Sequence, residues 1–218
     1  MAPGGDRRRA ATAAGSRFEA IAFDLLTALI DSWSLFARVT GSEELGRAWR
    51  VASLRRVTAQ GDYRNYEEIL LDAATEVGVS RATRDELISR WGELRPWPEV
   101  PEVLSRLGGR RLAIATNCSQ RLADVAAGVT GGRFEMVMSA ERAGAYKTDP
   151  RAYRSALDAL RLPADRVLFV AGSAHDVPGA SRLGMKVYWS NRQRLPVPPG
   201  SPAPLADEPD LLRLPELA

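Results

Sequence analysis

A regular alternation of apolar strand patterns and amphipathic helix patterns in the second half of the chain most constrains its fold. The patterns follow one another as helix 101–108, strand 111–115, helix 119–127, strand 134–138, helix 150–160, strand 166–171, helix 177–183 and strand 186–189. Strands that alternate with helices form a parallel sheet with helices on both faces. We therefore predict an α/β fold built on a doubly wound parallel sheet.

One strand of this sheet is predicted far ahead of the alternation. Residues 18–23 have the apolar pattern of a buried strand, and only helix patterns follow them until Pro96, Pro98 and Pro101 interrupt the chain. Closely spaced prolines are typical of a linker, because proline cannot continue a helix. A helical segment is therefore inserted between the first strand and the alternating region.

This order divides the chain into three predicted parts. Residues 1–16, rich in Gly, Ala and Arg, are predicted to be a disordered arm. Residues 17–32 and 98–218 form a core domain around the sheet, and residues 33–97 form a helical cap domain inserted directly after the first strand. An insertion at this point would lie over the carboxyl ends of the strands and cover a pocket there.

Composition excludes several classes of function. The 218 residues include 45% hydrophobic amino acids, enough for a core, and their net charge of +3 gives no broad basic face for nucleic acid. No apolar run is long enough to span a membrane. The single cysteine, Cys118, allows neither an internal disulfide nor a thiol-based zinc site. We expect a cytoplasmic protein with no nucleic-acid or membrane partner.

Asp24 follows the first strand directly, in the run Ile-Ala-Phe-Asp-Leu-Leu. Open α/β sheets bind ligands at the carboxyl ends of their strands, so this carboxylate is a candidate nucleophile for attack on carbon or phosphorus. A strand-end Asp can instead cap the turn that follows it. Suitable partners at other strand ends would favour the first interpretation.

Three further segments supply such partners. Thr116 and Asn117 follow the second predicted strand and could hydrogen-bond an anionic group, or only the local backbone. Lys147 precedes a helix and could keep a nearby aspartate ionised, although a solvated loop lysine has the same pattern. Asp176 could activate a water molecule or hold the lysine, or cap the next helix.

The order of these segments, strand-Asp, strand-Thr-Asn, Lys-x-Asp-Pro and strand-x5-Asp, resembles the haloacid dehalogenase superfamily over residues 18–192. Residues 147–153, Lys-Thr-Asp-Pro-Arg-Ala-Tyr, are similar to the Lys-Pro-Asp-Pro-x-x-Tyr segment of its L-2-haloacid dehalogenase branch. Residues 187–192 are similar to the aromatic-x-Asn-Arg ending of that branch. The resemblance implies a Rossmann-like core with a helical cap after the first strand.

In that branch the strand-one aspartate attacks the substrate and forms an ester, which water then hydrolyses. Carried over, the resemblance implies that Asp24 is the nucleophile, Lys147 supplies positive charge and Asp176 supports the hydrolytic water. It also implies substrate-binding roles for Arg50, Thr116, Asn117, Tyr153 and Ser173. Arg50 could equally be an ordinary arginine on a helix surface, and Tyr153 could equally be a tyrosine that only packs. The resemblance further implies a small anionic substrate, no metal, no cofactor and a homodimer.

Phosphatases of the superfamily need two acids that this chain lacks. One lies two residues after the nucleophile and protonates the leaving alkoxide, and Leu26 takes its place. The other is a magnesium-ligating Asp, and Gly172 takes its place. Acid catalysis is typically worth ~100-fold or more for a poor leaving group, whereas halide leaves without a proton. Both changes favour metal-free attack on carbon, with a Mg²⁺-dependent phosphatase as the alternative.

The match to the dehalogenase branch is also incomplete. Its Tyr and Thr, two and four residues after the nucleophile, are Leu26 and Ala28 here, and its Ser and Asn near the last site aspartate are Ala171 and Ser173. These changes leave open a binding protein that kept the scaffold and lost the chemistry. The leading prediction is a metal-independent hydrolase that removes halide from small 2-halo acids through an aspartyl ester.

Overall fold

The computed structural model describes residues 17–218, so the arm predicted at residues 1–16 lies outside the described residues. Its centre is a six-stranded sheet with the order β5-β4-β1-β6-β7-β8, in which every neighbouring pair is parallel. A separate antiparallel pair is formed by β2 and β3. The strands are β1 Ala20–Phe23, β2 Ile30–Asp31, β3 Arg95–Pro96, β4 Arg111–Thr116, β5 Met136–Ser139, β6 Val167–Ala171, β7 Lys186–Ser190 and β8 Ala206–Glu208.

Helices cover both faces of the sheet. They are α1 Ser32–Thr40, α2 Glu43–Ala59, α3 Tyr66–Glu76, α4 Arg81–Ser89, α5 Val100–Arg106, α6 Gln120–Val129, α7 Ala140–Ala143, α8 Pro150–Leu160, α9 Asp176–Ser181 and α10 Leu214–Leu217. The predicted α/β fold with a doubly wound parallel sheet is therefore confirmed. Of the helices in residues 17–218, none combines the length and apolar character that a membrane-spanning helix needs.

Alternate residues of each strand point to opposite faces of the sheet, and both faces are apolar. On β1, Ile21 and Phe23 belong to the core shared with α1 to α6, whereas Ala20 and Ala22 belong to the core shared with α8 and α9. A strand that is buried on both faces needs a continuous apolar run. This requirement explains why β1, β4 and β6 are recognisable in the sequence.

The strand order places a crevice at the end of β1. The chain runs from β1 to β4 and β5 on one side, then returns to β6, β7 and β8 on the other. Phe23, the last residue of β1, is level with Ile114 in β4 and Val170 in β6. The residues that follow these positions therefore meet at one edge of the sheet, where open α/β sheets bind their ligands.

The helices α1 to α4 lie between β1 and β4 in the sequence and pack against one another. Gly46 allows close contact of α2 with α1, since a Cβ atom at this residue would lie 2.5 Å from the backbone nitrogen of Ala37. The indole of Trp49 donates to the carbonyl oxygen of Leu70 (2.9 Å) and joins α2 to α3. The division into separate core and cap domains stays a prediction.

The structure departs from the sequence expectations at both ends of this helical insertion. A one-turn π-helix, Leu25–Leu29, follows Asp24 directly. The short strands β2 and β3 pair antiparallel and bring the two ends of the insertion together, where only helices and a linker are predicted. Two-residue strands and single helical turns have too little periodicity to be recognised in a sequence.

Candidate active site

Asp24 lies at the carboxyl end of β1, where its backbone N–H donates to the carbonyl oxygen of Val170 (2.9 Å) and continues the sheet ladder. Its Oδ2 atom accepts hydrogen bonds from the backbone nitrogens of Thr27 (2.9 Å) and Ala28 (3.3 Å) and from the Thr27 hydroxyl (2.5 Å). Asp24 therefore does cap the turn that follows it, but with one oxygen only. The Oδ1 atom stays available to the site.

Lys147 joins the two aspartates of the site. Its ammonium group donates to Asp24 Oδ1 (2.8 Å) and to Asp176 Oδ2 (2.9 Å), and all three side chains are buried. The side-chain amide of Asn117 holds this lysine in place through its backbone. The amide donates to the Lys147 carbonyl oxygen (2.9 Å) and accepts from the Lys147 nitrogen (2.7 Å). Asn117 thus fixes the lysine between two strand ends.

Asp176 begins α9, and both of its carboxylate oxygens accept hydrogen bonds from buried side chains. Oδ2 accepts from Lys147, and Oδ1 accepts from the hydroxyl of Tyr153 on α8 (2.7 Å). Gly179 makes room for this hydroxyl, since a Cβ atom there would overlap it. The Tyr153 ring also packs edge-on against Phe169, with ring centroids 5.4 Å apart. Tyr153 therefore holds Asp176 in position from the side away from the ammonium of Lys147.

The three buried charges have displaced pKa values. Burial alone would raise the pKa of Asp24, but the Lys147 ammonium and the hydrogen bonds from Lys147 and Thr27 hold that pKa below its ordinary value. Burial raises the pKa of Asp176, the charge of Asp24 adds to this, and Lys147 offsets only part of it. Burial alone would lower the pKa of Lys147, but the two carboxylates raise it. Asp24 is therefore ionised, and Asp176 is the more basic carboxylate.

A cavity of about 30 Å³ opens onto these groups, and we call it the inner cavity. Seven of the eight residues that the sequence predicts for the site line it: Asp24, Arg50, Thr116, Asn117, Lys147, Ser173 and Asp176. Tyr153 is not among its lining residues and touches the site only through Asp176. Leu26, Val57 and Tyr66 add apolar walls. The predicted residues are therefore in one place, with Tyr153 behind them rather than among them.

Arg50 brings the inserted helices into the site. It is 2% exposed, and its Nε donates to the Ser32 hydroxyl (3.0 Å), which in turn donates to the carbonyl oxygen of Leu26 (2.8 Å). Its guanidinium carbon lies 5.7 Å from the ring centroids of both Trp33 and Phe36. It forms no ion pair with any carboxylate of the described residues. A buried cation that has no carboxylate partner favours binding of an anion.

Thr116 presents a hydroxyl to the inner cavity. Within the described residues its Oγ1 contacts only the Cys118 Sγ atom, at 3.6 Å. Burial raises the pKa of Cys118 to about 12, so this thiol is neutral and inert at ordinary pH. The Thr116 hydroxyl therefore keeps hydrogen-bonding capacity for a bound molecule.

Sequence reasoning missed Thr27 and Ser32. Thr27 bonds the candidate nucleophile through both its backbone N–H and its hydroxyl. Ser32 orients Arg50 from the first residue of α1. An Asp at the first position of a turn often accepts a hydrogen bond from the backbone N–H three residues later, so the sequence did contain a signal for Thr27. The contact made by Ser32 joins residues 18 positions apart and leaves no local pattern.

The residues present do not fit a magnesium site of the phosphatase kind. The acid that such a site needs would stand at Gly172, where a Cβ atom would lie 2.2 Å from the carbonyl carbon of Thr27 and 2.3 Å from the nitrogen of Ala28. No side chain fits there without displacing the turn that holds Asp24. In residues 17–218, no group of three or more His, Cys, Asp or Glu side chains is arranged to hold a metal ion.

Comparison with known proteins identifies the family to which the chain is similar. The family model of haloacid dehalogenase-like hydrolases matches residues 9–184. A haloacetate dehalogenase from Moraxella sp. (strain B) is 32% identical over 195 residues, covering 81% of this chain and 87% of that protein. An (S)-2-haloacid dehalogenase from Pseudomonas putida is 30% identical over 193 residues, covering 80% of this chain and 86% of that protein.

Solved structures of L-2-haloacid dehalogenases share the fold. One of them matches with a TM-score of 0.82 and 26% identity, covering 92% of this chain and 98% of that chain. The enzyme of Xanthobacter autotrophicus with chloropropionic acid covalently bound matches with a TM-score of 0.83 and 20% identity, again covering 92% and 98%. At 20% identity, the similarity to the Xanthobacter autotrophicus enzyme shows only that the fold is shared.

Proposed function

Because the chain belongs to the haloacid dehalogenase-like hydrolase family, we propose that it removes halide from a 2-halo carboxylic acid through an ester on Asp24. One observation carries the proposal: an ionised, buried aspartate paired with Lys147 faces a cavity that also contains the unpaired guanidinium of Arg50. The names of the related proteins, haloacetate and (S)-2-haloacid dehalogenases, support the substrate class.

In the first step Asp24 Oδ1 attacks carbon 2 of the substrate. Oδ2 already accepts three hydrogen bonds, whereas Oδ1 accepts one, so Oδ1 is the oxygen with a lone pair free for attack. A carbon–oxygen bond forms, the carbon–halogen bond breaks, and the halide leaves with the electron pair. Arg50 and Thr116 lie where they can bind the carboxylate of the substrate or the departing halide.

In the second step water attacks the carboxyl carbon of the Asp24 ester. Asp176, the more basic carboxylate, takes a proton from this water and returns it to the hydroxy acid as the bond from carbon to the ester oxygen breaks. Negative charge develops on Oδ2, where the N–H groups of Thr27 and Ala28 and the Thr27 hydroxyl already point. Such preorganised donors stabilise a tetrahedral intermediate.

Leu26 supports halide as the leaving group over phosphate. It lines the inner cavity at the position where a phosphatase of this superfamily has its proton donor. A hydrocarbon cannot protonate an alkoxide, whereas halide needs only stabilisation as an anion. With Gly172 in place of the metal-ligating acid, these two residues support a reaction that needs neither an acid beside the nucleophile nor magnesium.

The proposal is tested by bromide release from 2-bromopropionate in the presence of EDTA. We expect release by the native protein and none by Asp24→Asn. Asp31→Asn is the matched control, because Asp31 caps α1 with its side chain and does not line the inner cavity. Absence of bromide from every short 2-halo acid would contradict the proposal, and turnover of a phosphomonoester that requires added Mg²⁺ would favour the phosphatase instead.

Two further expectations belong to this proposal. The family resemblance supports a homodimer, which light scattering coupled to size-exclusion chromatography measures directly. A cytoplasmic location is supported by Cys118, which is buried and has no disulfide partner. Fractionation of cells that produce the protein would test the second expectation.

A further inference from the structure

A second cavity of about 690 Å³ lies beside the inner cavity, and we call it the outer cavity. The two share lining residues: Thr27, Leu54, Thr58, Ser173 and His175. The inner cavity, at about 30 Å³, has room only for the reacting end of a molecule. The outer cavity is in the size range of sites that hold whole small ligands, roughly 300–1,000 Å³.

Apolar and aromatic side chains form one part of the wall of the outer cavity, beside polar and basic ones. Trp33, Trp97 and Trp189 line it, and so do Val51 and Leu195. The last two are among the most exposed large apolar residues of the described chain, at 48% and 43%. Exposed apolar side chains gathered around one cavity indicate a surface that an apolar molecule covers.

One of these aromatic walls is held rigidly. The indole of Trp97 donates to the carbonyl oxygen of Thr27 (3.3 Å), the residue that also bonds the nucleophile. The guanidinium of Arg192 lies 4.4 Å from the Trp97 ring centroid and pairs with Glu99 (2.5 Å). A ring fixed in this way offers a preorganised surface, which lowers the entropy cost of binding.

The charges around the outer cavity exclude a cationic occupant. None of the described residues that line it is acidic, whereas Arg47, Arg55 and Arg192 are basic. Arg55 pairs with Glu76, and the Arg47 guanidinium lies 5.6 Å from the Trp33 ring centroid without an ion pair to any described carboxylate. The surface therefore suits a neutral apolar or aromatic group attached to an anionic head.

We propose that the substrate is a 2-halo carboxylate whose carbon 2 carries an aryl-containing group or an alkyl chain of several carbons, and that this group lies in the outer cavity. This inference rests on the proposed dehalogenation. The halogen, carbon 2 and the carboxylate occupy the inner cavity beside Asp24 and Arg50, and the substituent passes Leu54 and Thr58 into the outer cavity.

The expected effect is an increase in kcat/KM with substituent length. Complete burial of one methylene group corresponds to about a fourfold gain in affinity, and a cavity open on one side yields about twofold. From 2-bromopropionate to 2-bromoheptanoate, which has four more methylene groups, kcat/KM is expected to rise about tenfold or more. A comparable rise is expected for 2-bromo-3-phenylpropionate, since its ring can stack on tryptophan.

The experiment measures bromide release from these three acids by the native protein and by Val51→Asn and Leu195→Asn. Both variants place an amide in the outer cavity without changing charge and lie outside the inner cavity. We expect them to keep the rate with 2-bromopropionate and to lose most of the gain with the longer acids. Val125→Asn is the control, because Val125 is an exposed valine (38%) that does not line the outer cavity.

The outcomes separate this inference from the proposed function. Bromide from 2-bromopropionate, with kcat/KM that is flat or falls for the two larger acids, would overturn the substituent site and leave the dehalogenation intact. A rise that Val51→Asn and Leu195→Asn do not reduce would also overturn it. Absence of bromide from all three acids would overturn the proposed function and this inference together.

Discussion

Replacement of Tyr153 by Phe isolates a single hydrogen bond to the candidate base. The hydroxyl of Tyr153 donates to Asp176 Oδ1 at 2.7 Å, and both side chains are buried. Phenylalanine keeps the edge-on contact with Phe169, so only the donor is removed. The variant therefore tests whether the ionisation of Asp176 controls the rate of bromide release.

The magnitude follows from the chemistry of this contact. A hydrogen bond to a charged group contributes about 1.5–3 kcal/mol, and a change of one pKa unit corresponds to about 1.4 kcal/mol. Burial already raises the pKa of Asp176, and the Tyr153 hydroxyl counteracts part of that rise. Without the hydroxyl, the pKa of Asp176 is expected to rise further, because one of the groups that lowers it has been removed.

The raised pKa of Asp176 also determines how the unfolding free energy of the Tyr153→Phe variant changes with pH. A carboxyl group with a raised pKa in the folded protein binds its proton more tightly there than in the unfolded chain. Its contribution to stability is present at low pH and is lost as pH rises through the folded pKa. The Tyr153→Phe variant should therefore lose more unfolding free energy near pH 7 than near pH 4, by about 1 kcal/mol or more.

The assay is the pH dependence of kcat/KM for bromide release, together with urea unfolding at both pH values. We expect the acid limb of the profile to move to higher pH in Tyr153→Phe. The matched control is Tyr188→Phe, because the buried Tyr188 hydroxyl donates to a neutral carbonyl oxygen, that of Asp210 (2.9 Å). A folded Tyr153→Phe variant with an unmoved acid limb would refute the role of Asp176 as the base.

Three other substitutions test the surroundings of Asp24. Thr27→Val should lower kcat about tenfold to a hundredfold with little change in KM, because it removes one of the three donors to Asp24 Oδ2. The control Thr75→Val, on an exposed helix surface, should leave kcat unchanged. Equal kcat values in the two variants would contradict the role of Thr27 in stabilising the oxyanion. Gly172→Asp should lower the melting temperature and bring no Mg²⁺-dependent phosphatase activity, because the new Cβ would overlap the turn after Asp24. Magnesium-dependent turnover of a phosphomonoester by this variant would contradict the expectation. Arg50→Lys should raise KM about tenfold with a smaller change in kcat, since an ammonium lacks the planar donor fork of arginine, and an unchanged KM would remove Arg50 from substrate binding.

The sequence was sufficient to predict the fold and the residues at the strand ends. Asp24, Thr116 and Asp176 each follow an apolar run, and a parallel sheet brings such positions to one edge whatever the details of packing. Lys147 was predicted from its place before a helix and from the family resemblance. All four positions depend on topology, which periodicity encodes well.

The contacts that need packed tertiary structure could not be predicted in the same way. The hydroxyl of Tyr153 faces Asp176 because Gly179 leaves space for it, and Gly172 is required because a Cβ atom at that residue would lie 2.2 Å from the backbone of Thr27. The outer cavity is formed by segments far apart in the chain, so no local sequence pattern predicts it. The amide of Asn117 bonds the backbone of Lys147, a use that spacing alone does not distinguish from substrate binding.

The central claim is that Asp24 forms a covalent ester which water cleaves at the carboxyl carbon. Turnover of 2-bromopropionate in water enriched in heavy oxygen, followed by mass spectrometry of the peptide containing Asp24, tests it most directly. We predict that heavy oxygen enters this carboxylate during turnover, since water attacks its carbon. Heavy oxygen found only in the hydroxy acid product, after many turnovers and with none in the peptide, would contradict the claim.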